Sequence, residues 1–265
     1  MRSRHVRMSL EDYTHLAFRP AWKQEYFDGC LVETPREVFV HATTPVAQRP
    51  QESPAPLRPV TSHDEPALHR CFCQAFLDTI EFCDYASHQL DEAARNCLRR
   101  FFGTAGGDAL DASRVALGAP GTPEANRPIG AVLVLKPDIG WALLDMIFVT
   151  PRWQRGGLGT ALAAAGVNAL YQQGGTHTMV SRYHLGNDAS RAWHHRFGFV
   201  DCPDLQVARL RRRAAIDARE RGHWEREVAR LEALVEAGLT AEADPWEKWR
   251  RKSRAEGASR PQMAS

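Results

Sequence analysis

Three glycines, Gly156, Gly157 and Gly159, follow Arg155 where an apolar, strand-like run gives way to a helical one. The stretch is Val149-Thr150-Pro151-Arg152-Trp153-Gln154-Arg155-Gly156-Gly157-Leu158-Gly159-Thr160. A strand that turns through glycines into a helix can hold phosphate. The first N–H groups of the helix have no internal partner, the macrodipole adds partial positive charge, and glycine lets an anion approach the backbone. The spacing excludes two common nucleotide loops. No Gly-Lys-Ser/Thr follows the glycines, and neither the Gly-x-Gly-x-x-Gly spacing nor a βαβ unit with a ribose-binding acid is present.

The elements that must position this turn can be read on either side of it. Trp141–Val149 is an apolar strand, and the Ala-rich stretch 161–173 is an amphipathic helix stopped by Gly174-Gly175. Upstream, Thr61-Ser62-His63-Asp64-Glu65 starts a helix with an N-cap hydroxyl and early acids, and Leu68, Cys71, Phe72, Ala75 and Phe76 recur at helical spacing. A second helix is expected over 90–102. Gly103–Gly107 breaks it, and strands are expected at 114–118 and 129–136, paired antiparallel across the Pro/Gly loop 119–128. Asp138-Ile139-Gly140 is read as a turn. Beyond the central helix come a strand at 176–183, a helix introduced by Gly186-Asn187-Asp188-Ala189-Ser190 and ending at Arg196, and a final strand from Phe199 toward Leu210.

The flanks differ in character. Residues 1–45 form an extension with a short helix capped by Ser9 and a hairpin over 24–34, turned by Asp28-Gly29. Glu25-Tyr26-Phe27-Asp28-Gly29 loosely resembles the opening of some restriction-endonuclease-like domains, but the later acids of a metal nuclease are missing, so the hairpin is read as an appendage. Residues 46–59, with the neighbouring Pro45, read as a Pro-rich linker. From Arg211 the chain turns to Arg, Glu and Ala, with thirteen basic and ten acidic residues up to Ser265. Ile216, Trp224, Val228, Leu231, Leu234 and Val235 form a broken apolar stripe. This predicts a long helix that packs on the domain or pairs with a second copy or a partner, and a disordered end over 257–265.

Composition narrows the classes. A net charge of +2 with 43% apolar and 25% charged residues is ordinary for a globular protein and carries no nucleic-acid signature. No run approaches the roughly 18 apolar residues of a membrane span, and no apolar run follows the basic start, so neither a membrane anchor nor a signal peptide is expected. Six cysteines in 265 residues do not make a disulfide framework. Cys71 and Cys73, two apart on a predicted helix, suit neither a zinc knuckle nor a redox pair. Reduced cysteines, a cytoplasmic location and no metal are the expectation.

The order of elements together with the turn resembles the GNAT superfamily of N-acetyltransferases, whose signature is Gln/Arg-x-x-Gly-x-Gly/Ala behind a strand ending in Val-x-Pro. Here Gln154-Arg155-Gly156-Gly157-Leu158-Gly159 stands behind Val149-Thr150-Pro151, with Asn187, Ser190 and Phe197-Gly198-Phe199 downstream. The resemblance runs from about Leu57 to Leu210 and implies an α+β domain over 60–210: a mixed, mostly antiparallel central sheet flanked by helices, with 211–265 as a helical tail. It implies acetyl-CoA as cosubstrate. The pyrophosphate would lie on Gln154, Arg155, Gly156, Gly157, Leu158, Gly159 and Thr160, the pantetheine arm along Ile147, Phe148 and Val149, and Asn187 near that arm. It implies transfer of the acetyl group to a small-molecule or peptide amine by direct attack in a ternary complex. Asp145 is the acid best placed as base, or is an Asp at a strand bulge that only bonds the backbone. Where the family often carries a Tyr as general acid, this chain has His194, with Tyr183 and His184 as alternatives. A non-catalytic CoA sensor or interaction module is the competing reading.

Overall fold

The computed structural model describes residues 4–138 and 140–244. Ile139 of the expected turn and the expected disordered end at 257–265 lie outside the described residues. In chain order the elements are β1 (Arg4–Arg7), α1 (Leu10–Thr14), β2 (Trp22–Phe27), β3 (Cys30–Pro35), β4 (Phe39–Pro45), β5 (Leu57–Pro59), α2 (Glu65–Phe76), α3 (Ser87–Thr104), α4 (Gly107–Ala112), β6 (Arg114–Leu117), β7 (Pro128–Asp138), β8 (Gly140–Val149), α5 (Leu158–Gln173), β9 (Thr176–His184), α6 (Asp188–Phe197), β10 (Val200–Cys202), α7 (Leu205–Ala214), α8 (Ala218–Glu236) and α9 (Thr240–Ala243). The fold is α+β, with a mostly antiparallel sheet flanked by helices. The described residues divide into two compact units, one drawn from 43–181 and 196–199, the other from 4–42, 182–195 and 200–244.

In the first unit, β5, β6, β7 and β8 pair antiparallel in succession, and β8 pairs parallel with β9. The pleat sends alternate residues of β7 to opposite faces. Ala131 and Leu133 join Leu68, Phe72, Leu90, Ala94, Leu98 and Phe101 of α2 and α3 in one apolar core. Val132 and Val134 lie on the other face, against α5 at Gly166. Full burial of side chains such as Phe72 and Phe101 contributes about 1.5–3 kcal/mol each. The apolar periodicity of α2 and α3 is therefore the face that covers the sheet. α5 is buried on nearly every side, which explains its run of alanines.

Residues 46–56 have no regular structure, yet they are held to α5. The Arg49 N–H donates to Asn168 Oδ1 at 2.8 Å, and Asn168 Nδ2 returns a bond to the Arg49 carbonyl at 3.0 Å. The guanidinium of Arg49 donates to Thr44 Oγ1 and to the Phe197 carbonyl, each at 2.8 Å. The proline-rich composition thus yields an extended chain docked by its backbone and by one arginine. α4 lies between the expected helix break and β6, and it buries only the small side chains Ala109 and Ala112.

In the second unit, β1, β3 and β2 form an antiparallel sheet. Its β2–β3 turn has Asp28 and Gly29 at φ of +48° and +72°, the pair of positive angles that a two-residue hairpin turn requires. Ser9 caps α1 by accepting from the Asp12 N–H. The expected strand toward Leu210 ends at Cys202 and gives way to α7. Asp204 caps this helix by accepting from the Val207 N–H at 2.8 Å, and Val207, Ala208 and Arg211 are buried at helical spacing. The long helix of the tail is α8. Trp224, Val228 and Leu231 form a core with Ala208 and Ala215 at α7 and Ala243 of α9, while Ile216 is 91% exposed and outside the stripe.

Candidate active site

The glycine turn begins where β8 ends. Thr150 continues the ladder, its N–H and Oγ1 both donating to the Ile129 carbonyl, and a single helical turn at Pro151–Trp153 then reverses the chain. Gln154 Nε2 donates to the Val149 carbonyl at 2.9 Å, clamping the turn to the strand end. Arg155 stands at φ +63° and Gly157 at φ +83°, with Gly156 between them outside the positive-φ region. Left-handed residues in such a turn can aim successive N–H groups toward one side, the arrangement that binds anions. Gly157 is the N-cap of α5, and Leu158 is buried in the core. No charged side chain occurs in Leu158–Gln173, so no residue of the helix offsets the positive end of its dipole.

β8 presents an edge beside this turn. Its ladder with β9 runs from Gly140/Thr176 to Leu143/Val180 and stops, and on that side residues 144–149 have no strand pairing among the described residues. On its other side β8 stays paired with β7 through Ile147, Phe148 and Val149. The Phe148 ring is buried against Phe72 and Phe76 at centroid distances of 5.8 and 6.2 Å. Phe148 can therefore meet a ligand only through its backbone.

Asp145 sits at a β-bulge. Leu133 pairs with Met146 and Val134 with Leu144, which leaves Asp145 as the extra residue of β8. A bulge re-aims side chains. Met146 joins the α2/α3 core, and its neighbour Asp145 also reaches α3, where Arg100 Nη2 lies 2.9 and 3.1 Å from the two carboxylate oxygens. The Asp145 side chain is 6% exposed and that of Arg100 52%. The bulge was readable as an alternative. The arginine was not, because its separation of 45 residues leaves no local signal.

The remaining candidates lie in the second unit. Asn187 Oδ1 accepts from the Ser190 N–H at 2.9 Å and caps α6. His194 is 1% exposed, with Nδ1 2.8 Å from the Ser190 carbonyl, one helical turn back. Burial pushes its pKa down to about 4, against a smaller upward pull from the Ser190 carbonyl. Its ring packs on Tyr183 at 4.9 Å. The Tyr183 hydroxyl donates to the Asp201 carboxylate at 2.8 and 2.9 Å, and burial followed by that carboxylate raises its pKa. His195 and Arg211 flank the same carboxylate at 3.1 and 3.6 Å. His184 is committed to the Arg36 carbonyl and the Gly186 N–H. Asp201 and Arg211 escaped the sequence reading, since a short strand and a misread helix carry them.

Residues 74–199 match the Acetyltransferase (GNAT) family. No curated protein sequence gives a significant match. Among solved structures the chain is similar to the ribosomal-protein-S18-alanine N-acetyltransferase of Escherichia coli, at 18% identity and a TM-score of 0.42, over 56% of this chain and 79% of that one. It is similar to a GCN5-related N-acetyltransferase of Sphaerobacter thermophilus, at 15% identity and a TM-score of 0.45, over 76% of this chain and 56% of that one. Ard1 of Thermoplasma volcanium matches at 18% identity and a TM-score of 0.40, over 56% and 84% of the two chains. No described helix is long and apolar enough to cross a membrane.

Proposed function

Residues 74–199 form an acetyltransferase domain of the GNAT family, and on that premise we propose that the protein transfers an acetyl group from acetyl-CoA to an amine in the cytoplasm. The observation that carries this reading is the left-handed backbone of Arg155 and Gly157 at the head of a helix without charged side chains. In the proposal, the N–H groups of Arg155–Thr160 hold the pyrophosphate. The backbone of Ile147, Phe148 and Val149 pairs with the pantetheine arm where the β8 ladder with β9 has ended. One strand N–H supports the oxygen that gains charge as the amine attacks. The nitrogen–carbon bond forms, the carbon–sulfur bond breaks, and Asp145 takes the ammonium proton directly or through water, while the thiolate regains a proton. The catalytic domain is taken to span 60–210, with the acceptor chosen by α2, α3 and the 103–128 segment.

His194 fits the proton-donor role poorly at neutral pH. With a pKa of about 4, only about one molecule in a thousand carries the imidazolium at pH 7. We assign it to holding α6 and Tyr183, and Asn187 to capping α6. The commitment of Asp145 to Arg100 and the neutrality of His194 favour a second reading, a CoA-binding module without turnover.

Titration calorimetry with CoA and a free-thiol assay with acetyl-CoA, run over a panel of amines and peptides, separate the two. Binding with thiol release on at least one amine supports the enzyme. Binding without release on any amine supports the module, and no binding removes both.

A further inference from the structure

We propose that His69, Cys73 and Asp91 form a binding site for zinc that clips α2 to α3. His69 and Cys73 are four residues apart on α2 and share one face of the helix, and Asp91 faces them from α3. The three donor atoms lie within 4.8 Å of one another. His69 Nε2 is already 3.1 Å from Asp91 Oδ1 and 3.1 Å from the Asp91 carbonyl oxygen. A tetrahedral zinc with bonds of about 2.0–2.3 Å spaces its donors roughly 3.3–3.7 Å apart. Closing the site therefore takes a rotamer change of the partly buried Cys73, with the Asp91 carbonyl or a water available as fourth ligand.

The donor set selects the metal. Imidazole nitrogen with thiolate sulfur suits zinc, whereas magnesium and calcium take oxygen ligands. His69 Nε2 now faces two Asp91 oxygens, and a metal would take the place of the proton between them, with the imidazole lone pair as its ligand. Zinc takes sulfur as the thiolate, so binding at Cys73 releases a proton. Arg95 pairs with Asp91 Oδ2 and leaves Oδ1 facing His69. Its charge opposes a cation, but at 60% exposure that opposition is screened by solvent.

The clip would act close to the acyl-transfer strand. α2 and α3 bracket the 77–86 segment, in which Phe82 packs on Phe72 and Phe76, and both of these rings lean on Phe148. Fixing the two helices would fix this aromatic cluster. The site itself does not depend on the acyl-transfer reading.

The test uses the full chain, stripped with a chelator and titrated with Co²⁺ as the spectroscopic probe. One equivalent should give tetrahedral visible bands and a thiolate charge-transfer band in the near ultraviolet, and one equivalent of Zn²⁺ should displace both. Cys73→Ser should abolish the charge-transfer band, and His69→Gln and Asp91→Asn should each weaken Co²⁺ binding at least tenfold. Zn²⁺ should raise the thermal midpoint of the wild type and leave that of Cys73→Ser unchanged. These positions are partly exposed, so circular dichroism should report an unaltered fold in each variant. A spectrum with octahedral bands alone, or one that persists in Cys73→Ser, would overturn the site.

Discussion

Arg100 closes on Asp145 from α3, one guanidinium nitrogen meeting both carboxylate oxygens at 2.9 and 3.1 Å. The carboxylate is nearly buried while its partner is half in solvent, so the two have unequal claims on the pair. Removing the arginine strands a desolvated charge at the β8 bulge, and removing the acid leaves a cation that water can solvate. Arg100→Met should therefore lower stability by about 1–2 kcal/mol, more than an exposed ion pair is worth. The urea midpoint of the variant against the wild type measures this, and a loss below about 0.5 kcal/mol would contradict it.

The turn predicts a contrast between adjacent glycines. Gly157 has a φ of +83°, and a β-branched residue in this left-handed region is strained by about 1–3 kcal/mol. Gly156 is outside that region, and an added Cβ would come no closer than 4.0 Å to the Trp153 carbonyl oxygen. Gly157→Val should cost at least tenfold in CoA affinity by calorimetry, and Gly156→Ala should cost less. Equal affinities for both variants and the wild type would remove the turn from the binding site.

His194 should leave a signature in the pH dependence of stability. The folded imidazole titrates near 4 and the unfolded one near its ordinary value of about 6.5. Between these values the unfolded chain binds the extra proton, so stability falls as pH falls. The slope is about 1.4 kcal/mol per pH unit and the total about 3 kcal/mol. Above about pH 6.5 the contribution is complete and flat. Denaturation midpoints from pH 7.5 to 4 should show this slope in the wild type and a shallower one in His194→Gln. Parallel curves would mean that His194 titrates normally.

Much of the fold was legible because its signals are local. The Asp28-Gly29 turn, the strand into Val149 and the alanine-rich α5 each carry their structure in consecutive residues. Leu205 and Val207 alternate like a strand, and that misled. The Pro203-Asp204 pair before them marks a helix start, and Asp204 does cap α7. α4 hid because it buries only alanines, and β1 because Arg4–Arg7 has no apolar face and is held by its pairing with β3. At the site, the turn itself followed from its glycines, while the Arg100 and Asp201 partners depend on tertiary approach. The proline-rich 46–59 segment shows the same limit, since Arg49 reaches Asn168 across 119 positions.

Asp145→Asn separates chemistry from binding. The amide keeps the shape of the bulge residue but cannot take a proton from an ammonium. Arg100, half exposed, can turn to solvent when its partner loses charge. If Asp145 is the base, thiol release with a reactive amine should fall by about 10²–10⁴-fold. The CoA dissociation constant should stay within about twofold, because the Arg155–Gly157 turn and the β8 edge bind through backbone groups that the substitution leaves in place. Full turnover in the variant would move the base elsewhere. A loss of CoA affinity in parallel with turnover would show that the Arg100–Asp145 pair holds the binding strand rather than the reacting amine.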